Sequence, residues 1–425
     1  MHCDFSLQEG RGSLKVAVLD AIHGAKTIAQ RMAEIGFQAE ALEVYHHCPS
    51  IADFDLVVAP VHLPPENPVL AQARLSKKRI ITHHRAVGEL LAPVLELNSK
   101  LKLFEVTGTH SKTTTALLLS IMLSSRAKVV SHTTRGVELW SNGSSRLLRQ
   151  GLSITPGNAI LAMDEAVSRK ADALVTEISL GGTGIADFGV LTSFYGDYRI
   201  AGGMKWASTA KLQMASLAKK GSRLVANADV KISPDISFGH GGKVQAMPDR
   251  IHFGSDASTI RPSLDLDFPS YQTAIAAAAA TAHAAGIDAA EIASALDGFD
   301  GFGGRMKIVR KERLTIYDCS NSGLKVSDVK RALDNAGYAS VRLGLVAGED
   351  AKTVCEGMDV HGLVELLRQR RGEICTLVLV GERFLPFAEE LKAKTAQNLT
   401  AGREIAKRAL DQGTDRLLLC VKCFR

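Results

Sequence analysis

The residues best suited to chemistry lie together near the end of the first quarter of the chain: Glu105-Val106-Thr107-Gly108-Thr109-His110-Ser111-Lys112-Thr113-Thr114-Thr115. A glycine turn followed by a lysine and a run of hydroxyls suits a phosphate. Backbone N–H groups at a helix start point at an anion, and the helix dipole favours negative charge there. Lys112 adds a point charge for the outer phosphates, and the Thr113 hydroxyl stands where such loops place a Mg²⁺ ligand. The pattern is G-x-x-x-K-T-T, shorter than the general G-x-x-x-x-G-K-[ST], with Ser111 where a glycine is usual. A competing reading caps the helix with Ser111 or Thr109 and leaves Lys112 in solvent. The order of apolar strand (101–106), turn, Lys-Thr and apolar helix (113–123) favours the phosphate.

Other candidates are weaker taken singly. Glu177 closes an apolar strand expected over 173–178, and a carboxylate at the carboxyl end of a strand in an open α/β sheet can hold a metal. It can equally cap a helix or face water. Gly181, Gly182 and Gly184 follow it and permit close backbone approach. Lys211 lies at the expected start of a helix that carries Lys219 and Lys220, and by itself reads as a surface lysine. Gly301, Gly303 and Gly304 precede Arg305, whose guanidinium fork suits phosphate geometry; a flexible linker with a solvated arginine is the alternative. The pairs His46-His47 and His83-His84 lack carboxylates or cysteines at ligand spacing and read as surface or loop histidines. Cys420-Val421-Lys422-Cys423 sits in an apolar run and reads as core packing.

These residues need strands and helices to hold them, and the pattern supplies an α/β alternation throughout. Strands are expected at 15–19, 39–44, 55–59 and 79–82, with helices at 25–35 and 67–75. After a polar break at Ser99-Lys100 come strands at 101–106, 128–131, 173–178, 189–192 and 223–227 and helices at 113–123 and 271–285. The last part alternates again: 314–317, 326–336, 341–347, 363–368, 376–380, 403–410 and 417–421. A chain of 425 residues fits about three domains, placed at 1–98, 99–300 and 301–425, each with a parallel sheet. The first 13 residues read as loosely held.

Composition narrows the function. The 46% hydrophobic and 23% charged content gives ample core and no sign of disorder. A net charge of +6, spread along the chain, fits anionic ligands but not nucleic acid, which would call for an arginine-rich tract interleaved with aromatics. Seven cysteines without a secretory leader argue against a disulfide framework. No apolar run reaches the ~18 residues of a membrane helix, and a cytoplasmic protein is expected.

Val106 to Thr115 resembles the ATP loop of the Mur ligase superfamily, in which ATP converts a carboxylate into an acyl phosphate that a nucleophile captures. The resemblance spans nearly the whole chain. It implies three α/β domains: an N-terminal Rossmann-like substrate domain, a central P-loop domain binding ATP and Mg²⁺, and a C-terminal Rossmann-like domain. It implies ATP contacts from Gly108, Thr109, His110, Ser111, Lys112, Thr113 and Thr114, with Thr113 and Glu177 on the metal. Lys211 matches a family lysine that is often carbamylated. Asp300-Gly301-Phe302-Gly303-Gly304-Arg305-Met306 is similar to the hinge motif whose arginine reaches the ATP phosphates, and Asp318 matches a ribose-binding aspartate. Thr192 and Asp197 fit the T-N-x-x-x-D-H stretch, but Tyr198 replaces its metal-binding histidine. The adenine-binding H-N-x-x-N is absent: Ser270-Tyr271-Gln272-Thr273-Ala274 stands there, leaving Tyr271 or Gln272 as substitutes.

The overall likeness is greatest to a compact branch from methane-metabolising archaea. There the carboxylate belongs to a nickel tetrapyrrole and the nucleophile is a ring carbon of the same molecule. The resemblance thus implies a small-molecule carboxylate as partner, no nucleic acid and no membrane, and a monomer or homodimer. Two alternatives stay open: an amide-forming Mur-type ligase for a cell-wall or folate-like substrate, and a non-catalytic nucleotide-binding protein.

Overall fold

The structure is a computed structural model and describes residues 14–311, 314–336, 342–350, 357–410 and 416–424. The first 13 residues, Cys3 and Cys355 lie outside the described residues. The fold divides into two units: residues up to Ile260 with Gln272–Ala295, and Arg261–Tyr271 with Leu296–Arg425.

The first unit begins with four parallel strands in the order β2-β1-β3-β4. They are β1 (Lys15–Leu19), β2 (Gln38–Leu42), β3 (Leu56–Ala59) and β4 (Arg79–Thr82), joined by α1 (Ala25–Glu34) and α2 (Pro68–Leu75). The apolar runs of the inner strands β1 and β3 are buried on both faces, as parallel strands covered by helices require. Asn67 caps α2 by accepting from the N–H groups of Val69 (3.1 Å) and Leu70 (3.3 Å).

A helix not expected from the pattern follows β4 without a break: α3 (His83–Leu97), capped by the Thr82 hydroxyl accepting from Arg85 N at 3.1 Å. It corrects the reading of His83 and His84 as surface or loop residues, because both are buried in its first turn. Burial is tolerated because each is bonded: His83 Nε2 donates to Leu19 O (2.9 Å) and His84 Nε2 to Ser179 O (2.8 Å). Burial holds both imidazoles neutral, at about 3 and about 4 respectively.

The second sheet has 11 strands in the order β17-β16-β15-β14-β13-β10-β5-β9-β6-β7-β8. Its centre is parallel and comprises β5 (Lys102–Thr107), β6 (Val129–Thr133), β9 (Ala173–Glu177), β10 (Phe188–Leu191) and β13 (Arg223–Asn227). α4 (Lys112–Leu123) follows β5, and α5 (Pro156–Ser168) precedes β9. The margins were not anticipated. On one side β7 (Gly136–Ser141) and β8 (Ser144–Arg149) add antiparallel strands. On the other, β14 (Ile236–Phe238) and β15 (Val244–Met247) continue the parallel set before β16 (Arg250–Phe253) and β17 (Asp256–Thr259) turn antiparallel. Between β10 and β13 lie the two-residue strands β11 (Arg199–Ile200) and β12 (Lys205–Trp206) and the short helices α6 (Ala207–Lys211) and α7 (Gln213–Ser216). The alanine-rich segment forms α8 (Phe268–Ala284), followed by α9 (Ala289–Ser294).

One apolar core joins the four-stranded sheet to the central one. Val16, Val18, Ile28 and Met32 pack with Val87, Leu91, Leu103, Ile160, Met163 and Leu174. Gly157, in the first turn of α5, allows the closest approach: a Cβ there would lie 2.4 Å from Gly24 O.

The second unit holds a six-stranded sheet, β18-β19-β23-β20-β21-β22, parallel except for β18. Its strands are β18 (Lys307–Lys311), β19 (Leu314–Asp318), β20 (Leu343–Glu349), β21 (Ile374–Val380), β22 (Lys394–Ala396) and β23 (Arg416–Lys422), with α10 (Val326–Ala336), α11 (Val360–Gln369) and α12 (Leu399–Leu410). Every residue of β20 is buried, between a layer containing Leu333, Leu367 and Leu418 and one containing Val378, Ala406 and Leu417. Cys420 and Cys423 are buried in this core. No helix among the described residues is long and apolar enough to cross a membrane.

Candidate active site

β5 lies between β10 and β9, so its carboxyl end opens at the middle of the central sheet. The chain leaves it through Gly108, whose φ is +151° and where a Cβ would lie 2.0 Å from Thr192 Oγ1. Only glycine fits there. The turn is fastened to the end of β10 by hydroxyls. The Thr109 hydroxyl lies between the carbonyls of Ser193 (2.9 Å) and Tyr195 (2.7 Å), sharing its one proton with them, and Thr192 Oγ1 donates to His110 O (2.6 Å).

Ser111 precedes α4 in the left-handed region, at φ 63°, and its side chain makes no capping bond. The capped-helix alternative therefore fails for both of its residues, since Thr109 is spent on β10. A serine where the backbone calls for glycine is a local strain of the kind that clusters at ligand sites. Lys112 opens α4 half-buried, and Thr113, Thr114 and Thr115 are buried behind it.

Register brings the second expected residue to the first. β5 and β9 are neighbours, pairing Val106 with Glu177. Thr113 Oγ1 donates to Glu177 Oε2 at 2.7 Å, and both side chains are buried. Thr134, just after β6, joins them: its N–H donates to Glu177 Oε2 at 3.4 Å and its hydroxyl lies 3.4 Å from Thr113 Oγ1. Sequence reasoning missed Thr134, although it too follows the carboxyl end of a core strand. A hydroxyl and a carboxylate side by side form an all-oxygen donor set, which suits a hard cation such as Mg²⁺.

Lys211 is corrected in two respects. It ends α6 rather than starting a helix, and it is buried at 1% exposure rather than on the surface. Its Nζ lies 3.5 Å from the Tyr198 hydroxyl and 5.1 Å from that ring's centre, so the tyrosine in the histidine's place packs against the lysine. Lys219 and Lys220 fall beyond α7, on no common helix with it, and Lys219 pairs with Asp187 at 3.0 Å. Asp197 accepts from Tyr198 N (2.9 Å) and Ser208 N (3.0 Å) and so fastens the loop that carries α6.

In the second unit, Arg305 is half-buried in the turn before β18. Asp318 ends β19 with its carboxylate accepting from Gly304 N (3.2 Å) and Ser320 N (3.1 Å), so it braces the turn that carries Arg305. Asn321 donates to Gly304 O at 3.0 Å. Tyr271 is buried and accepts from Phe302 N at 2.7 Å, while Gln272 donates to Ala246 O at 2.9 Å.

Glu105 is a further carboxylate beside the loop, and no chemistry was expected of it. It is fully buried in β5, accepting from the N–H (2.9 Å) and hydroxyl of Thr183 in the glycine loop after β9. Burial lifts its carboxyl to about 7 even though the Thr183 bonds oppose the shift. A cavity of about 470 Å³ lies elsewhere, lined by Lys102, Ala173, Phe188 and Arg223 at the amino ends of β5, β9, β10 and β13. It is at the wrong end of the strands to serve the phosphate loop.

The architecture matches solved Mur ligases. MurF from Acinetobacter baumannii superposes with a TM-score of 0.60 at 16% identity, covering 97% of this chain and 88% of that one. A bifunctional folylpolyglutamate synthase/dihydrofolate synthase from Yersinia pestis, complexed with AMPPNP and Mn ion, superposes at 0.55 with 16% identity, covering 80% and 90%. The fold is thus that of the Mur ligases, α/β with parallel sheets in several domains. Residues 308–423 match the family model of the coenzyme F430 synthetase CfbE C-terminal domain. The coenzyme F(430) synthetase of Methanosarcina acetivorans is 34% identical over 476 positions, covering 97% of this chain and 99% of that protein. The chain belongs to the coenzyme F(430) synthetase family, and with it to the ATP-dependent ligases.

Proposed function

We propose that this chain closes the carbocyclic ring of a nickel tetrapyrrole, converting seco-F(430) acid to coenzyme F(430) with release of ADP and phosphate. The observation that carries this reading is the full-length identity to the Methanosarcina acetivorans synthetase, supported by the buried Thr113–Glu177 pair at the phosphate loop. In the proposed reaction the ATP terminal phosphoryl group passes to a substrate carboxylate oxygen and ADP leaves. A ring carbon then attacks the acyl carbon, phosphate departs, and the ring carbon gives up its proton.

The roles follow from chemistry and position. Gly108 to Thr114 cradle the phosphates, with the His110 ring 6.3 Å from that of Tyr195. Lys112 meets the charge that builds on the transferred group. Thr113 and Glu177 hold Mg²⁺, which when bound supplies positive charge beside the outer phosphates. Lys211, once carbamylated, would add a carboxylate-like group from α6. Arg305 and Asp318 are assigned to the phosphates and ribose on the strength of their motifs. Residues 1–98 are assigned to the tetrapyrrole, 99–300 to ATP and 301–425 to the arginine hinge.

The test is purified protein with ATP, Mg²⁺ and seco-F(430) acid, following ADP by coupled assay and the chromophore by absorbance. ADP formed in step with ring closure is expected. ADP release that answers to an amino acid or nucleotide-sugar carboxylate instead would make the chain an amide-forming ligase. No turnover with any carboxylate would leave only a nucleotide-binding protein.

A further inference from the structure

A second constellation lies at the carboxyl ends of β1 and β3. Asp20, immediately after β1, is fully buried in the left-handed region at φ 76°. Its Oδ1 accepts from the N–H groups of Ile22 (3.3 Å) and His23 (3.2 Å), which fixes the carboxylate's orientation. Its Oδ2 meets His23 Nδ1 at 2.9 Å and His62 Nε2 at 3.1 Å. β1 and β3 are paired neighbours, which is why residues so far apart in the chain converge. Burial alone would raise the Asp20 carboxyl, but the hydrogen bonds and charge of His23 and His62 outweigh it and hold the group ionised.

We propose that Asp20, His23 and His62 form a binding site for a divalent first-row transition ion of the zinc, nickel or cobalt class. The three donor atoms lie within 4.8 Å of one another. A tetrahedral ion with bonds of about 2.0–2.1 Å holds neighbouring donors roughly 3.3 Å apart, so the 2.9 and 3.1 Å separations need little adjustment. Two imidazoles and one carboxylate favour this class over magnesium or calcium, which take oxygen. His23 and His62 keep 24% and 31% of their side chains exposed, which gives the ion a way in. Tyr45 is exposed at the rim; its hydroxyl donates to Asp20 Oδ2 at 3.1 Å and lies 3.2 Å from His62 Nε2, so the ion takes the place of these two contacts.

The neighbouring cavity supports a site with one open position. About 20 Å³ in volume, it is lined by His23 and His62 and by His83 and His84, which is room for one water. His84 donates through Nε2, so its Nδ1 is an acceptor, and that atom is buried without a hydrogen-bond partner among the described residues. A water or other protonated oxygen ligand on the ion would satisfy it.

The experiment uses untagged full chain stripped with chelator, titrated with Zn²⁺ by calorimetry and with Co²⁺ by absorbance, without nucleotide. One equivalent should bind tighter than about 10 μM, with the intense visible bands of four-coordinate cobalt. His62→Ala and His23→Ala should each weaken binding by about 10- to 100-fold. Both residues are partly exposed, and a thermal melt confirms that the variants fold; Asp20→Asn, in a buried turn, is secondary. Glu177→Gln and a His46→Ala/His47→Ala variant should bind as the parent does. Binding that is absent, or unchanged in both single-histidine variants, overturns the site. Binding that is lost instead with Glu177 or with His46 and His47 does the same.

Discussion

Two turns in the first unit have the same construction and opposite chemistry. Each leaves a buried parallel strand, passes through a left-handed residue and enters a helix whose N-cap residue makes no side-chain bond: Asp20 to Gly24 between β1 and α1, and Gly108 to Ser111 between β5 and α4. In the phosphate turn the side chains are two hydroxyls, a histidine and, at the helix start, a lysine, and the strand-end hydroxyl of Thr192 bonds to a carbonyl, not to the helix-start amides. In the other turn the Asp20 carboxylate takes two amides itself and presents a second oxygen to two histidines. No carboxylate of its own occupies the first turn, which is proposed for an anion, while the second carries its own anion. Strand–turn–helix geometry therefore offers a binding position, and the side chains decide whether an anion or a cation fills it.

The largest effect expected from breaking this contrast is in catalysis. Lys112→Ala removes the point charge of the phosphate turn and should lower ATP turnover by about 100-fold or more, with an unchanged thermal melt. It should leave Zn²⁺ binding at the Asp20 turn untouched. Turnover retained in that variant would refute the phosphate assignment. Glu177→Gln comes next. It keeps the hydrogen bond from Thr113 but loses the charge, so the Mg²⁺ concentration giving half-maximal turnover should rise by about tenfold. An unchanged Mg²⁺ titration would remove Glu177 from the metal.

The difference between the turns also explains what could be read from sequence. The phosphate turn is continuous in the chain, so residues 101–123 carried strand, turn and helix in one stretch. Glu177 was legible as a strand-end carboxylate, but its contact with Thr113 depends on β9 lying beside β5, which no local pattern states. The Asp20 cluster needs residues 20, 23 and 62 and the β1–β3 pairing, and it went unseen. His83 and His84 were misplaced because α3 starts directly from β4, with no glycine, proline or loop residue between them. The β7–β8 hairpin is marked in the sequence only by the dipeptide Asn142-Gly143 at its turn. Strands as short as β14 carry too few residues to show a period.

Two buried titrating positions sharpen the contrast by pH. His84 is held neutral, at about 4, while the unfolded chain takes up that proton near 6.5. Its contribution to stability is present above 6.5 and is lost as pH falls through 4. Glu105 has the opposite sign. Its carboxyl stays protonated up to about 7 when folded but ionises near 4.3 when unfolded, so its contribution is present below about 4.3 and lost as pH rises through 7. Glu105→Gln should therefore raise the melting temperature by roughly 2–4 °C at pH 8 and less at pH 5. A gain that does not vary with pH would show that Glu105 is not titrating.

The smallest effect tests the two turns against each other. Ser111 and Gly24 both hold left-handed backbone, at φ 63° and 96°, but only one is a glycine. A non-glycine residue there costs about 1–2 kcal/mol, and glycine gives back about 0.5–1 kcal/mol through the unfolded chain's entropy. Ser111→Gly should thus stabilise the protein by up to about 1 kcal/mol. Gly24→Ala should act in the opposite direction and more strongly, because its new Cβ would also lie 3.0 Å from Thr155 Oγ1. Denaturant midpoints of the two variants provide the comparison. If Ser111→Gly proves neutral or destabilising, the serine hydroxyl contributes to the folded turn beyond its backbone strain. A fall in ATP affinity in the same variant would then place that hydroxyl on the phosphates.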